Sequence, residues 1–258
     1  MRPRRREVAK QLLTRRWVLT TIVVLAGVAL CIRLGIWQFD RLAWRREFNQ
    51  RVESQIQAAP LDLNQQFDVA GLFNMEYRSV QVVGTYDFSQ EVLLRNQIYD
   101  NHLGVHVFTP LKIAGSDVAI LVERGWIPVE EAGLPAREKF NEPGQVTVNG
   151  RLRRPLDQPE VVGGATNPTL APGQSRIDGW SYINIDQIQT QISLKLAPMY
   201  LQQSPDPAWT QMPYRELKLP EISEGPHMGY ALQWFTFATI LGGGYPFFVR
   251  KQLRSAKS

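Results

Sequence analysis

Two long apolar runs stand near opposite ends of the chain, with short alternating segments between them. The first, WVLTTIVVLAGVALCI at 17–32, carries no charge, and its continuation through Arg33 makes 17–39 a stretch of twenty-three residues. A helix rises about 1.5 Å per residue, so about 20 residues cross a hydrocarbon core of ~30 Å. Arg33 falls near the far end, where a long side chain snorkels to the interface, and Trp17 and Trp37 fall where aromatic belts form. The second run, MGYALQWFTFATILGGGYPFFV at 228–249, has no charge in twenty-two residues. Its three glycines, Gly242 to Gly244, and Pro246 would weaken a helix in water but are tolerated in membrane spans. The pattern predicts transmembrane helices at 17–39 and 228–249. A cleaved signal peptide is the alternative reading of the first run, and the uncleaved anchor is the one expected here.

Between the runs the pattern changes twice. Residues 40–59 are polar with apolar positions at helical spacing, which predicts that the first helix continues as a stalk until Pro60 stops it. From 60 to 226 the signals are those of strands. YRSVQVVGTYD (77–87) and EVLLRNQIYD (91–100) read as a hairpin, followed by LGVHVFTPLKI (103–113), DVAILVERGWIP (117–128) and QVTVNGRLRRP (145–155). The Pro- and Gly-rich stretch 155–174 predicts a surface excursion, 184–192 a short capped helix, and APMYLQQS (197–204) a last strand. The expected fold is therefore a membrane protein of the α+β class. Two transmembrane helices flank a mostly antiparallel β domain, a small barrel or sandwich with one or two short helices.

Charge turns this pattern into a topology. The chain is formally +5, yet residues 1–16 hold seven basic residues against one acid and 249–258 hold four against none. The remaining 18 basic and 23 acidic residues leave 17–248 net negative. Cytoplasmic flanks of membrane spans carry excess Lys and Arg, so both tails, 1–16 and 250–258, are expected inside and the β domain outside. An acidic body argues against nucleic acid as a partner, since binding one needs Lys and Arg gathered on a folded face. Membrane lipid is the partner this distribution implies. The single cysteine, Cys31, excludes an internal disulfide and a Cys-rich zinc module.

Catalytic chemistry is hard to find. There is no HExxH, GxSxG, P-loop or GxGxxG, and no plausible Ser-His-Asp set, so no enzyme is expected. His102 and His106 are four apart but lie on a predicted strand, where that spacing names no third metal ligand. His227 differs by position. It heads the second apolar run in PHMGYALQWF, with Tyr230 and Trp234 one and two turns along a similar face. An imidazole at a membrane interface beside aromatics is a setting that can ligate a haem iron; an interfacial His bonded to backbone or headgroups is the plainer reading.

Several phrases in order resemble the surfeit locus protein 1 family: LGIWQFDRLAWR (34–45), GTYD (84–87), RNQ (95–97) with GVHVFTPL (104–111), LVERGWIP (121–128), and HMGYALQWF (227–235) with RK after the span. The resemblance implies a cytochrome c oxidase assembly factor of bacterial or mitochondrial inner membranes, here the cell inner (plasma) membrane. It implies a non-catalytic chaperone of respiratory chain biogenesis that assists delivery or insertion of haem a into the catalytic subunit. Cytochrome c oxidase's catalytic subunit is then the partner, with haem a synthase as a further one. The candidate haem ligand matches His227 and its accompanying tryptophan Trp234, with Tyr230 beside them; further motif positions match Gly84, Gly125 and Trp126. Two departures stand out: Glu123 where the family usually has Asn, and Arg45 where it usually has Lys. Gly84, Gly125 and Trp126 also have structural explanations as turns, bulges and core. The rival reading is a cofactor-free scaffold that stabilises the nascent oxidase subunit. A membrane sensor is disfavoured because the tails are too short for an output module.

Overall fold

The computed structural model describes residues 14–65, 68–159 and 163–255. Most of the expected basic tail 1–16, and Lys257 of the other tail, lie outside them. In chain order the elements are α1 (Arg15–Gln57), β1 (Leu61–Asp62), β2 (Ser79–Tyr86), β3 (Val92–Tyr99), β4 (His102–Ile113), β5 (Val118–Pro128), β6 (Gln145–Arg153), β7 (Gly179–Trp180), α2 (Ile185–Gln189), β8 (Lys195–Gln203) and α3 (His227–Ser255), with short 3₁₀ turns between. They form two compact units. One holds α1 up to Arg51 together with Glu221 onward; the other is Val52–Pro220.

In the helical unit α1 and α3 pair in opposite directions. Trp17 meets Phe248 with ring centroids 6.2 Å apart, the Thr21 and Tyr245 hydroxyls hydrogen-bond at 2.6 Å, and Phe39 stacks on Phe235 at 5.8 Å. Close approach depends on Gly35, where an added Cβ would lie 2.8 Å from the Phe235 ring. Small residues at such crossings let helix backbones approach without a hydrophobic driving force. Among the described residues α1 alone is long and apolar enough to cross a membrane. The expected second span is a 29-residue helix that falls short of that apolarity, because Gln233, the three glycines, Tyr245 and Pro246 dilute it.

The six expected strands are all present, and five of them close into a ring, with β3 paired to β4 outside it. β2 pairs with β6, β6 with β8, β8 with β5, β5 with β4, and β4 back to β2, giving a five-stranded barrel rather than a sandwich. The pairing is mostly antiparallel as expected, with three exceptions among the described residues. β8 runs parallel to β5, and the two-residue strands β1 and β7 are parallel to β2 and β3. A parallel neighbour needs a long crossover, which here is the chain between β5 and β8. The period of two in β2 buries Val80, Val82 and Tyr86 inside the barrel, where Leu111, Ile120, Val122, Leu152 and Met199 meet them. β5 is covered on both sides: Ile120 and Val122 face the barrel core, while Ala119 and Leu121 face a second core with Phe108, Trp180 and Ile188. That double burial explains its near-continuous apolar run. Asn184 caps α2, its side-chain oxygen accepting from Gln187 N at 2.9 Å. The described parts of 155–174 contain no regular element.

A buried ionic network ties one side of this unit together. The fully buried Arg124 guanidinium reaches Glu91 at 3.3 Å and Glu142 at 3.1 Å, and Arg137 bridges Glu91 at 3.2 Å and Asp178 in a two-pronged contact at 2.7 and 2.8 Å. Burial pushes the Glu91 carboxyl above the ordinary carboxylate range, against the bond it accepts from Thr109 and the charges of Arg124 and Arg137.

Candidate functional site

His227 is the first residue of α3. The turn before it is made by Gly225 at φ +67, and the first intrahelical bond runs from Tyr230 N to Pro226 O at 3.1 Å. The approach to this turn is pinned by α1. Arg45 donates through Nε to Ser223 O and through Nη2 to Glu221 O, both at 2.9 Å, and Arg46 forms a two-pronged contact with Glu224 at 2.7 and 2.9 Å. Arg45 uses its fork on two carbonyls at once, which a lysine ammonium does not reproduce in that fixed geometry. The departure from the family's usual residue thus has a local use here.

The imidazole is oriented by Gln38, a buried residue on α1. His227 Nδ1 donates to Gln38 Oε1 at 2.8 Å. With its proton on Nδ1, the ring keeps a lone pair on Nε2, the arrangement by which a hydrogen bond on one ring nitrogen prepares the other for a metal. A Cβ built on Gly225 would come within ordinary van der Waals contact of the ring, 3.6 Å from Nε2, and His227 as a whole is half-buried. Tyr230 and Trp234 follow at three and seven residues and so share the His227 stripe of α3. Tyr230 is exposed, and Trp234 is half-buried, edge-on to Phe237 at 5.9 Å. This donor set, an imidazole held by Gln38 on the stripe of α3 that also carries Tyr230 and Trp234, is of the type that fits a haem iron and its apolar ring.

The other motif residues lie in the barrel unit, and their surroundings are structural. A Cβ on Gly84 would run into Lys112 O, at the register where β2 meets β4 and closes the barrel. Gly125 sits at φ +132 beside the irregularity in the β4–β5 ladder. A Cβ there would lie 2.6 Å from Tyr214 O. The glycine admits Tyr214, whose backbone forms a two-bond bridge with Trp126 at 2.8 and 2.9 Å. The Trp126 ring stacks on Tyr214, lies tilted against Tyr99 and donates Nε1–H to Gln97 O at 3.1 Å. Gly104, inside a motif phrase but not singled out there, seats the same ring: a Cβ would strike Trp126 and Ile127 O.

Glu123 and His106 form a buried pair on neighbouring strands, His106 Nδ1 against Glu123 Oε1, with Gln202 Nε2 also donating to Glu123 at 3.4 Å. His102 is exposed and turns to Asp100 O at 2.7 Å instead. Among the described residues no cluster of three His, Cys, Asp or Glu side chains forms a metal site. Gln38 and Gly225 were the residues missed from sequence. The available signal was Gln38 itself, a polar side chain inside an apolar span, which is costly unless paired or functional.

The family described as the SURF1 family matches residues 25–239. An uncharacterised SURF1-like protein of Mycobacterium tuberculosis is 27% identical over 249 residues, covering 93% of this chain and 86% of that protein. A SURF1-like protein of Caenorhabditis briggsae is 23% identical over 255 residues, covering 87% and 73%. Human surfeit locus protein 1 is 30% identical over 153 residues, covering 54% of this chain and 49% of the human protein.

Proposed function

The chain therefore belongs to the SURF1 family, and from that membership we propose that it assists cytochrome c oxidase assembly by holding haem a at His227 for transfer to the catalytic subunit. Membership implies the role in assembly. The finer reading rests on one observation, the Gln38 bond that engages Nδ1 of His227 and so makes Nε2 the nitrogen available to a ligand. His227 would hold the haem iron through Nε2, Trp234 and Tyr230 would lie against the apolar ring, and Gln38 would hold the imidazole in place. The protein's part is to bind, orient and release this cargo.

Both helices are taken to cross the bilayer, with the tails cytoplasmic and Val52–Pro220 on the outer side. The support is the apolar surface they present. Leu19, Val23, Leu25 and Leu30 on α1, and Leu232, Ile240 and Phe247 on α3, are all more than half exposed. Contiguous apolar patches beyond a few hundred Å² are rare on proteins that face only water. Tyr245, one of the polar groups of α3, is satisfied by Thr21, as a polar group in hydrocarbon must be.

The test is a visible absorption spectrum of the detergent-purified full chain, produced where haem a is made. Wild type is expected to co-purify with haem, and His227→Ala to lose the haem absorbance while keeping its circular dichroism. An unchanged spectrum in His227→Ala would remove His227 from the mechanism. A wild-type protein that carries no haem yet sustains oxidase levels would make it a cofactor-free scaffold.

A further inference from the structure

The RNQ phrase at 95–97 plays no part in the haem reading, and its geometry is unusual. β3 pairs regularly with β4 on either side of it, but the register shifts between Leu94 and Gln97, and Asn96 takes φ +58. A bulge of this kind bends a strand and re-aims a side chain. Arg95 is the side chain re-aimed. It lies across the short strand β7, where a Cβ on Gly179 would strike its guanidinium.

Arg95 lines a cleft of about 470 Å³ on the Val52–Pro220 unit, within the ~300–1,000 Å³ of small-molecule sites. Among the described residues three further cations line it, Arg153, Arg154 and Lys218, with Glu123 the one lining carboxylate. Glu76 pairs with Arg153 and Arg154, which leaves Arg95 and Lys218 as the excess positive charge. Glu123 is already engaged by His106 and Gln202. Arg153 donates to Lys218 O at 2.8 Å, tying the lysine's backbone to the cleft wall, and its Nε is ion-paired with Glu76 at 3.7 Å. Among the described residues the Arg95 guanidinium has no hydrogen bond or ion pair, although Arg154 is used by Phe73 O and Glu76. Leu94, Leu156, Ile183 and Tyr200 supply an apolar wall. Excess positive charge beside an apolar wall is complementary to an anion on a carbon body, since charge-assisted bonds to guanidinium are the stronger class.

We propose that this cleft binds a small organic anion, a carboxylate or phosphate on an apolar body, with Arg95 as the principal anion contact and Lys218 beside it. The site is independent of the haem reading.

Isothermal titration of the detergent-purified full chain with benzoate, phenyl phosphate and inorganic phosphate tests it. Saturable one-to-one binding is expected for benzoate or phenyl phosphate, whichever matches the headgroup, and weaker binding for inorganic phosphate, which lacks the apolar body. Arg95→Gln should weaken binding about tenfold, the loss of one charge-assisted contact, and the Arg95→Gln, Lys218→Gln double variant should weaken it further. Arg95 is exposed and unpaired, so the melting temperature of its variant should match wild type. Absence of saturable binding for all three probes would overturn the proposal. So would equal binding by Arg95→Gln, or inorganic phosphate binding as tightly as phenyl phosphate.

Discussion

Gly125→Ala separates two reasons for a glycine. Alanine there must hold φ +132, a strained conformation for a residue with a side chain that costs about 1–3 kcal/mol. Its Cβ would also lie 2.6 Å from Tyr214 O, a backbone atom that cannot rotate away. The Trp126–Tyr214 bridge must then part, and its two backbone bonds contribute about 0.5–1.5 kcal/mol each. Together the losses are about 2–6 kcal/mol. Near the middle of that range, about 4 kcal/mol, a unit of this size loses roughly 8–16 °C in Tm at ~2–4 °C per kcal/mol. The control is Gly144→Ala, at φ +87 with nothing within 4 Å of the added Cβ, which carries the conformational cost alone. Melting of the detergent-solubilised variants, followed by far-UV circular dichroism, gives the comparison. If Gly125→Ala melts no lower than Gly144→Ala, the close approach of Tyr214 is not what demands glycine at 125.

Gln38→Leu removes the acceptor for His227 Nδ1 at nearly constant volume. Haem affinity measured by titration should fall about 10–100-fold, the usual cost of losing a partner that orients a metal ligand, and an unchanged affinity would remove Gln38 from the site. Glu91 gives a pH signature. Because burial raises its folded pKa, the native state keeps a proton that the unfolded chain has released, and stability falls as pH climbs from the ordinary carboxylate range through the raised value. Glu91→Gln should flatten that part of the stability-versus-pH curve in urea titrations, and should lower stability chiefly above the raised pKa, where Arg124 and Arg137 lose their shared carboxylate. A slope that survives the substitution assigns the effect to another group.

The strands were legible because each carries its own period. The alternation of β2 and the continuous run of β5 are local facts that follow from burial on one face or two. Their closure was not legible. β8 enters between β5 and β6, parallel to one and antiparallel to the other, and no spacing within 195–203 records which strands flank it. The same division runs through the candidate site. His227 could be picked out from its place at the head of an apolar run, but the residue that orients it, Gln38, is 189 positions away. Arg45 makes the point most sharply. In the sequence it is a basic residue at a span's exit, equally suited to a lipid headgroup. In the fold its two donors hold Ser223 O and Glu221 O, the segment leading into the turn that presents His227. An arginine that stands in the sequence as a departure from the family's usual lysine therefore helps position the imidazole, and a Lys at 45 would keep the charge while losing the fork.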